Sequence, residues 1–205
     1  MIKAPRQFIF GTGTTVTSAP ASEPFTTATV KEWLKVDYTD DDTLIGSLIT
    51  AARQYVENYT GLKLFTQTVQ EVWDELPLTD ENYNHFGGFS LSWWPVQSIT
   101  TFAYVDESGD PQTITSANYD ADLVSRPARM SSTYGVAWPA TRDEMKAVTV
   151  TYVAGYAATT DIPDDIKVAM RLIIADWYDN RGDNVRERVT AADCILRQYK
   201  LNVFQ

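Results

Sequence analysis

The chain has 205 residues, 44% of them hydrophobic and 21% charged, a net charge of −10, one cysteine and one histidine. This length sustains a full core without a staple, and Cys194 alone excludes an intramolecular disulfide. No stretch approaches the roughly 20 continuous apolar residues of a membrane helix, and the opening Met1-Ile2-Lys3-Ala4-Pro5 lacks a signal peptide's apolar run. The expectation is a soluble protein of a reducing compartment, with no membrane role.

Residues 1–28 read as a flexible extension, because Thr, Ser, Ala, Gly and Pro dominate around one apolar patch at Phe8, Ile9 and Phe10. Gly11-Thr12-Gly13-Thr14 is no phosphate loop, since no Gly-Lys-Ser/Thr follows it. Thr29 and Glu32 have capping-box spacing, which predicts a short helix to about Val36 with Val30, Trp33 and Leu34 as its apolar stripe. Thr39 is expected to cap a second helix whose first turn is Asp40, Asp41 and Asp42, placed where the helix dipole favours negative charge. Leu44, Ile45, Leu48, Ile49, Ala52, Tyr55, Val56 and Tyr59 recur at three- and four-residue steps as its inward face, and Gly61 stops it.

From residue 64 to 156 the pattern becomes strands and turns. Phe65, Val69 and Trp73 share one side of an alternating segment, as do Val148, Val150 and Tyr152. Residues 96–105 form a further strand, the turn at 106–111 leads into another near Thr113, and the polar insert 74–88 reads as a surface loop. Pro163 opens a long helix with Asp164 and Asp165 in its first turn, Ile166, Ala169, Met170, Ile173, Ile174 and Trp177 on its buried face, and Gly182 at its end. A last helix covers about residues 191–199, before a tail in which Leu201 and Val203 alternate with Asn202.

The fold class is α+β: an N-terminal helical pair and a C-terminal long helix flanking a mostly antiparallel β-sheet insertion. The domain occupies 29–185, with helices over 29–60 and 163–181 and the β-rich part over 64–156. Residues 186–205 are a C-terminal helix and tail.

The acidic clusters have structural explanations. Asp40, Asp41 and Asp42 fan around a helix start instead of converging, Asp164 and Asp165 repeat that logic, and Asp120 and Asp122 lack the rest of a calcium loop. With His85 and Cys194 as the whole inventory of their kinds, there is little for a zinc site, a Cys-His pair or a Ser-His-Asp triad. The expectation is no catalytic residue, no metal and no cofactor. Arg181-Gly182-Asp183 sits where a helix should end, which accounts for its glycine. Trp93, Trp94, Trp138, Tyr134 and Tyr104 read as core, with a sugar-binding platform as the alternative. Arg53, Arg171 and Arg181 fall on or just beyond predicted helices as candidates for intersubunit ion pairs, with solvated faces as the alternative.

Charge is unevenly spread. Residues 1–185 carry 13 basic and 25 acidic side chains, whereas 186–205 have a net charge of +2. So acidic a body gains nothing by releasing counterions from DNA, which argues against sequence-specific DNA binding. In the tail, Tyr199, Leu201 and Val203 fall on one side of an extended segment with Lys200 and Asn202 on the other, the pattern of a strand added to a partner's sheet edge. The alternative is that Tyr199 and Leu201 pack back onto their own helices.

The ordered set Thr29-Val30-Lys31-Glu32-Trp33-Leu34-Lys35-Val36-Asp37, Thr39-Asp40-Asp41-Asp42, Gly61, Trp94-Pro95-Val96, Trp138-Pro139, Ala154-Gly155-Tyr156 and Ile162-Pro163-Asp164-Asp165-Ile166-Lys167 resembles the head-tail connector (adaptor, or head-completion) proteins of tailed bacteriophages. Leu196-Arg197-Gln198-Tyr199-Lys200 is similar to that family's C-terminal leucine, tyrosine and basic cluster. The resemblance implies a non-enzymatic virion protein at the head-tail junction, made in the host bacterial cytoplasm. It implies docking on the portal protein after packaging as a ring, commonly of twelve copies, contact with tail or neck proteins such as a terminator or stopper, and DNA passing through without sequence-specific binding. Tyr199, Lys200, Leu201, Val203 and Phe204 become the portal-docking candidates. A carbohydrate- or surface-binding β module is the alternative function.

Overall fold

The computed structural model describes residues 8–77, 88–182 and 190–200. They form two compact units, one of strands from residues up to 19 and 67–155, the other of helices from 20–66 and 156 onward.

The β unit contains two sheets. Strands β2 (Gly13–Ser18), β3 (Gln67–Trp73), β9 (Val148–Ala154), β5 (Val96–Val105) and β6 (Pro111–Thr113) lie side by side in that order, every pair antiparallel. The second sheet has the order β1 (Phe8–Phe10), β4 (Gly88–Ser90), β8 (Arg129–Ser132), β7 (Tyr119–Asp122), antiparallel except for β1 beside β4. β3 and β9 alternate buried and half-buried along their whole length, as strands do when one face meets a core. That core is shared by both sheets. Trp73 meets Phe89 edge-on at 4.9 Å, Phe89 meets Phe102 at 5.7 Å, and Val69, Met130, Val148, Val150 and Tyr152 fill the space between. Edge-to-face contacts of this kind suit the ring quadrupole.

The sequence places an extension where the structure has β1 and β2. Threonines on both faces of β2 leave no hydrophobic alternation to read; backbone pairing with β3 makes it a strand. The helices also differ from the expected arrangement. α1 (Thr27–Leu34), α2 (Asp42–Thr60), α3 (Asp164–Asp179) and α4 (Ala191–Arg197) pack on one another as a unit of their own, instead of framing the sheet as separate groups. Their core is Val30, Ile45, Ile49, Ala52, Val56, Ile166, Met170, Ile174 and Leu196.

Helix ends show where local signals compete. Thr26, not Thr29, caps α1: its hydroxyl accepts from the Thr29 amide, and Lys35 closes the helix at φ 57°. Asp41 takes the cap position of α2 without a side-chain cap bond, because its carboxylate is engaged elsewhere; Thr39 contributes only its carbonyl, to the Asp42 amide. Gly61 ends α2 at φ 74°, a left-handed conformation that glycine adopts without strain. α3 ends at Asp179, before Gly182, and α4 ends at Arg197.

Candidate functional site

Among the described residues no group of three or more His, Cys, Asp or Glu side chains is placed to hold a metal, and no helix is long and apolar enough to cross a membrane. His85 lies outside the described residues, as do Leu201, Val203 and Phe204. Cys194 is exposed on α4. Asp122 is tied to Arg129 and Ser125 across the β7–β8 turn, and those donors hold its carboxyl far below the usual range, so this acid serves a hairpin. Of the five aromatics that might form a platform, Trp93, Tyr104 and Trp138 pack against the β core, Trp138 lying 5.5 Å from Phe102. Tyr134 stands 82% exposed, and Trp94 has the Arg126 guanidinium 5.6 Å from its ring. The core reading therefore holds for Trp93, Tyr104 and Trp138 and fails for Tyr134.

What the helical unit offers is a set of charged and aromatic locks around its outer surface. Asp41 accepts from the Tyr178 hydroxyl at 2.6 Å, the Arg181 guanidinium at 2.7 Å and the Tyr38 hydroxyl at 3.2 Å. The two phenols are 3.0 Å apart, and Arg181 also lies 4.6 Å over the Tyr178 ring. These contacts join the start of α2 to the end of α3. The Tyr178 hydroxyl above all, then Arg181, holds the Asp41 carboxyl below its ordinary value. A depressed folded-state pKa contributes stability that is present above the unfolded value and is lost as pH falls through the folded one. Asp41→Asn is therefore expected to melt below the parent at pH 6, with the gap closing as pH falls below the ordinary carboxylate range and the parent's carboxylate protonates; thermal melts at descending pH check it.

Arg53, offered by sequence as a surface pairing residue, is 6% exposed and is spent inside the unit. Its Nε and Nη2 donate to Glu23 at 2.8 and 3.2 Å, and its Nη1 reaches Glu57 at 3.3 Å. Glu57, 2% exposed, also accepts from Lys63 at 3.3 Å and from the Leu64 amide at 3.0 Å. Arg171 is half-buried, 5.0 Å over Phe25 and 5.8 Å over Trp33, which itself stays 46% exposed. Arg181 remains 52% exposed at its side chain while paired with Asp41. Of the three arginines only Arg171 and Arg181 present surface.

The beginning of the tail docks locally. The Tyr199 hydroxyl donates to Asp165 at 2.7 Å, Gln198 donates to the same carboxylate at 2.6 Å, and Lys200 sits 5.6 Å over the Tyr59 ring. Sequence reading paired Tyr199 with the docking face of a free strand; the structure engages its hydroxyl with α3 of the same chain. A groove of about 260 Å³ runs between α2, α3 and α4, lined among others by Tyr55, Leu172, Trp177 and Ala191.

Glu57 is one buried acid that sequence reading missed, and the β unit holds another. Glu71, fully buried on the inward face of β3, accepts from the Gly11 amide at 3.2 Å, the Ser92 amide at 3.1 Å, the Ser92 hydroxyl at 2.6 Å and the Tyr152 hydroxyl at 2.9 Å. Burial pushes its carboxyl up and these four donors pull it back, burial being the larger. The signal was present: a glutamate between Val69 and Trp73 on the buried side of an alternating strand.

Against known proteins, the family model described as "Head completion protein" matches residues 23–192. No curated protein matches the chain by sequence. Among solved structures, a chain from the "Neck of empty GTA particle computed with C6 symmetry" superposes with a TM-score of 0.71 at 18% identity, covering 92% of this chain and 95% of its own. A chain from the "Virion of native gene transfer agent (GTA) particle" gives 0.71 at 17% identity, with 91% and 94% covered. One from the "Neck of native GTA particle computed with C12 symmetry" gives 0.65 at 19% identity, again with 91% and 94% covered. At these identities the likeness is one of fold.

Proposed function

Because the chain belongs to the head completion protein family, a class of structural virion proteins and not of enzymes, we propose that it is a head-tail connector that docks as a ring on the portal after DNA packaging. The ring, of twelve copies, extends the DNA channel at the head-tail junction and presents its far face to a tail or neck protein. The protein is made in the host bacterial cytoplasm and acts in the virion. The family match carries this reading, since it spans residues of both units. The fold shared with neck chains of gene transfer agent particles supports it. The acidic body fits a wall along which DNA slides without sticking, as a surface of its own sign repels phosphate.

Assembly is conditional. A chain of net charge −10 repels its own copies until complementary contacts override the repulsion, so the free protein is expected to sediment as a monomer or weak oligomer and to form rings with the portal. Electron microscopy and sedimentation with and without the portal test this. Rings on the portal support the reading; no association with the portal overturns it, and a stable ring without any partner overturns the conditional part.

Portal docking is assigned to the tail, whose net charge opposes that of the body. Because Tyr199 is engaged with Asp165, two truncations divide the tail. Removing residues 201–205 is expected to leave the melting temperature unchanged and abolish portal binding. Removing 199–205 is expected to do both that and lower the melting temperature by a few degrees, the size of effect of losing about 1 kcal/mol of hydrogen bonding in a domain of this length. Portal binding retained after removal of 199–205 rules out the tail as the docking element, and binding retained after removal of 201–205 alone confines docking to Tyr199 and Lys200.

A further inference from the structure

We propose that residues 8–18 are an exchangeable arm, which in the assembled ring completes the two sheets of an adjacent copy of this chain; the inference rests on the ring assembly proposed above. β1 is the outer strand of one sheet and β2 the outer strand of the other, so a single stretch of chain closes an edge of both. Side chains of β2 are exposed after Gly13, and Val16 is 42% accessible. The arm is therefore held by its ladder to β3, by the Thr12 amide donating to the Val72 carbonyl at 2.8 Å, and by the Gly11 amide on Glu71. Every one of these partners is present, in the same geometry, on any other copy. Exchange conserves the bonds, and the difference in free energy reduces to the hinge and the local concentration of neighbours, which a ring raises.

Two features suit the arm to that exchange. Its hinge is short: past the last ladder residue, Ser18, the chain runs through Ala19-Pro20-Ala21-Ser22 before Glu23 is re-anchored on Arg53. Pro20 holds Ala19 out of helical conformations, and five residue steps reach at most about 17 Å. That length restricts the arm to a subunit in direct contact with its own. Finally, no charged side chain lies between Arg6 and Glu23, although the chain carries a net charge of −10. Exposed edge strands are commonly guarded by lysine, by inward charge or by proline; β2 has a register shift between Val16 and Ser18 and no charge. A neutral segment can lie on an acidic neighbour without repulsion.

Cysteine pairing distinguishes home from exchanged arms. Thr15 and Gln70 are directly opposite in the β2–β3 ladder, Thr15 exposed and Gln70 half-buried. Opposed residues stand about 4.5 to 5.5 Å apart at Cα, within the span of a disulfide. In a Cys194→Ser background, Thr15→Cys with Gln70→Cys is oxidised as free protein and as portal-bound rings, then run on a denaturing gel without reductant. The expected result is closure within single chains for the free protein and a ladder of covalent multimers for rings. Rings that run only as internally closed single chains overturn the exchange while leaving the connector reading intact. Failure to form rings at all overturns both, and sedimentation before oxidation tells the two apart. A second arrangement removes the dependence on one doubly substituted chain: rings assembled from equal parts of the Thr15→Cys and Gln70→Cys single variants give covalent dimers under exchange and none if every arm stays at home.

Discussion

Glu57→Ala is expected to cost the helical unit about 3 to 5 kcal/mol, the range for removing one partner from a buried charge network. Arg53 keeps Glu23, but Lys63, 4% exposed, loses the carboxylate that faces it and the Leu64 amide loses its acceptor. The pH dependence identifies the cause. Burial already pushes the Lys63 ammonium below its ordinary value, with Glu57 opposing. Without Glu57 the folded-state pKa falls further. A depressed lysine binds fewer protons in the folded than in the unfolded state, so stability rises with pH between the folded and unfolded values. The deficit of the variant is therefore expected to shrink as pH is raised from 7 towards 10. Urea melts followed by far-ultraviolet circular dichroism measure both effects, and a pH-independent deficit would show that lost packing, not the lost Lys63–Glu57 pair, dominates.

Glu71→Ala is expected to be of similar size in the β unit, about 3 to 5 kcal/mol, for a different reason. It strips an acceptor from two backbone amides and two hydroxyls at a buried position, and it leaves a void beside Tyr152. Tyr152→Phe removes one donor while keeping the ring in the core and is expected to cost about 1 kcal/mol. Emission from Trp73, on the same face of β3, reports the loss. Hydrogen exchange adds a local readout: amides of residues 13–18 are expected to lose protection in Glu71→Ala, because Gly11 has lost its anchor. If those amides stay protected in a destabilised variant, the ladder alone holds the arm and the carboxylate serves the core only.

Much of the fold was legible from neighbouring residues. Ile45, Ile49, Ala52 and Val56 lie on the buried face that their spacing predicts, and Gly61 and Pro163 mark the end of α2 and the start of α3. β3 and β9 followed from alternation, and the run of motifs led to the family that the chain belongs to. The inward face of α2 was legible only in part. Tyr55, expected inside, is 38% exposed, whereas Arg53, Glu57 and Thr60 are buried. A charged side chain reads as outward until its partners are known, and Glu23 and Lys63 come from either side of the helix. The same holds for Asp41, whose neighbours Tyr178 and Arg181 lie well over a hundred residues away in the chain.

Two kinds of information thus divide this protein. Caps, glycine stops and hydrophobic period act within one turn or one strand, where free energy depends on the adjacent residues alone, and these set most of the elements, the α+β class and the family resemblance. The edge strand β2, the gathering of α1 to α4 from both sides of the β-rich stretch, the burial of Glu57 and Glu71 and the local docking of Tyr199 depend on groups brought together only by folding. An uncharged threonine-rich strand carries no periodic signal, and the cost of burying a carboxylate is decided by how many donors arrive to meet it.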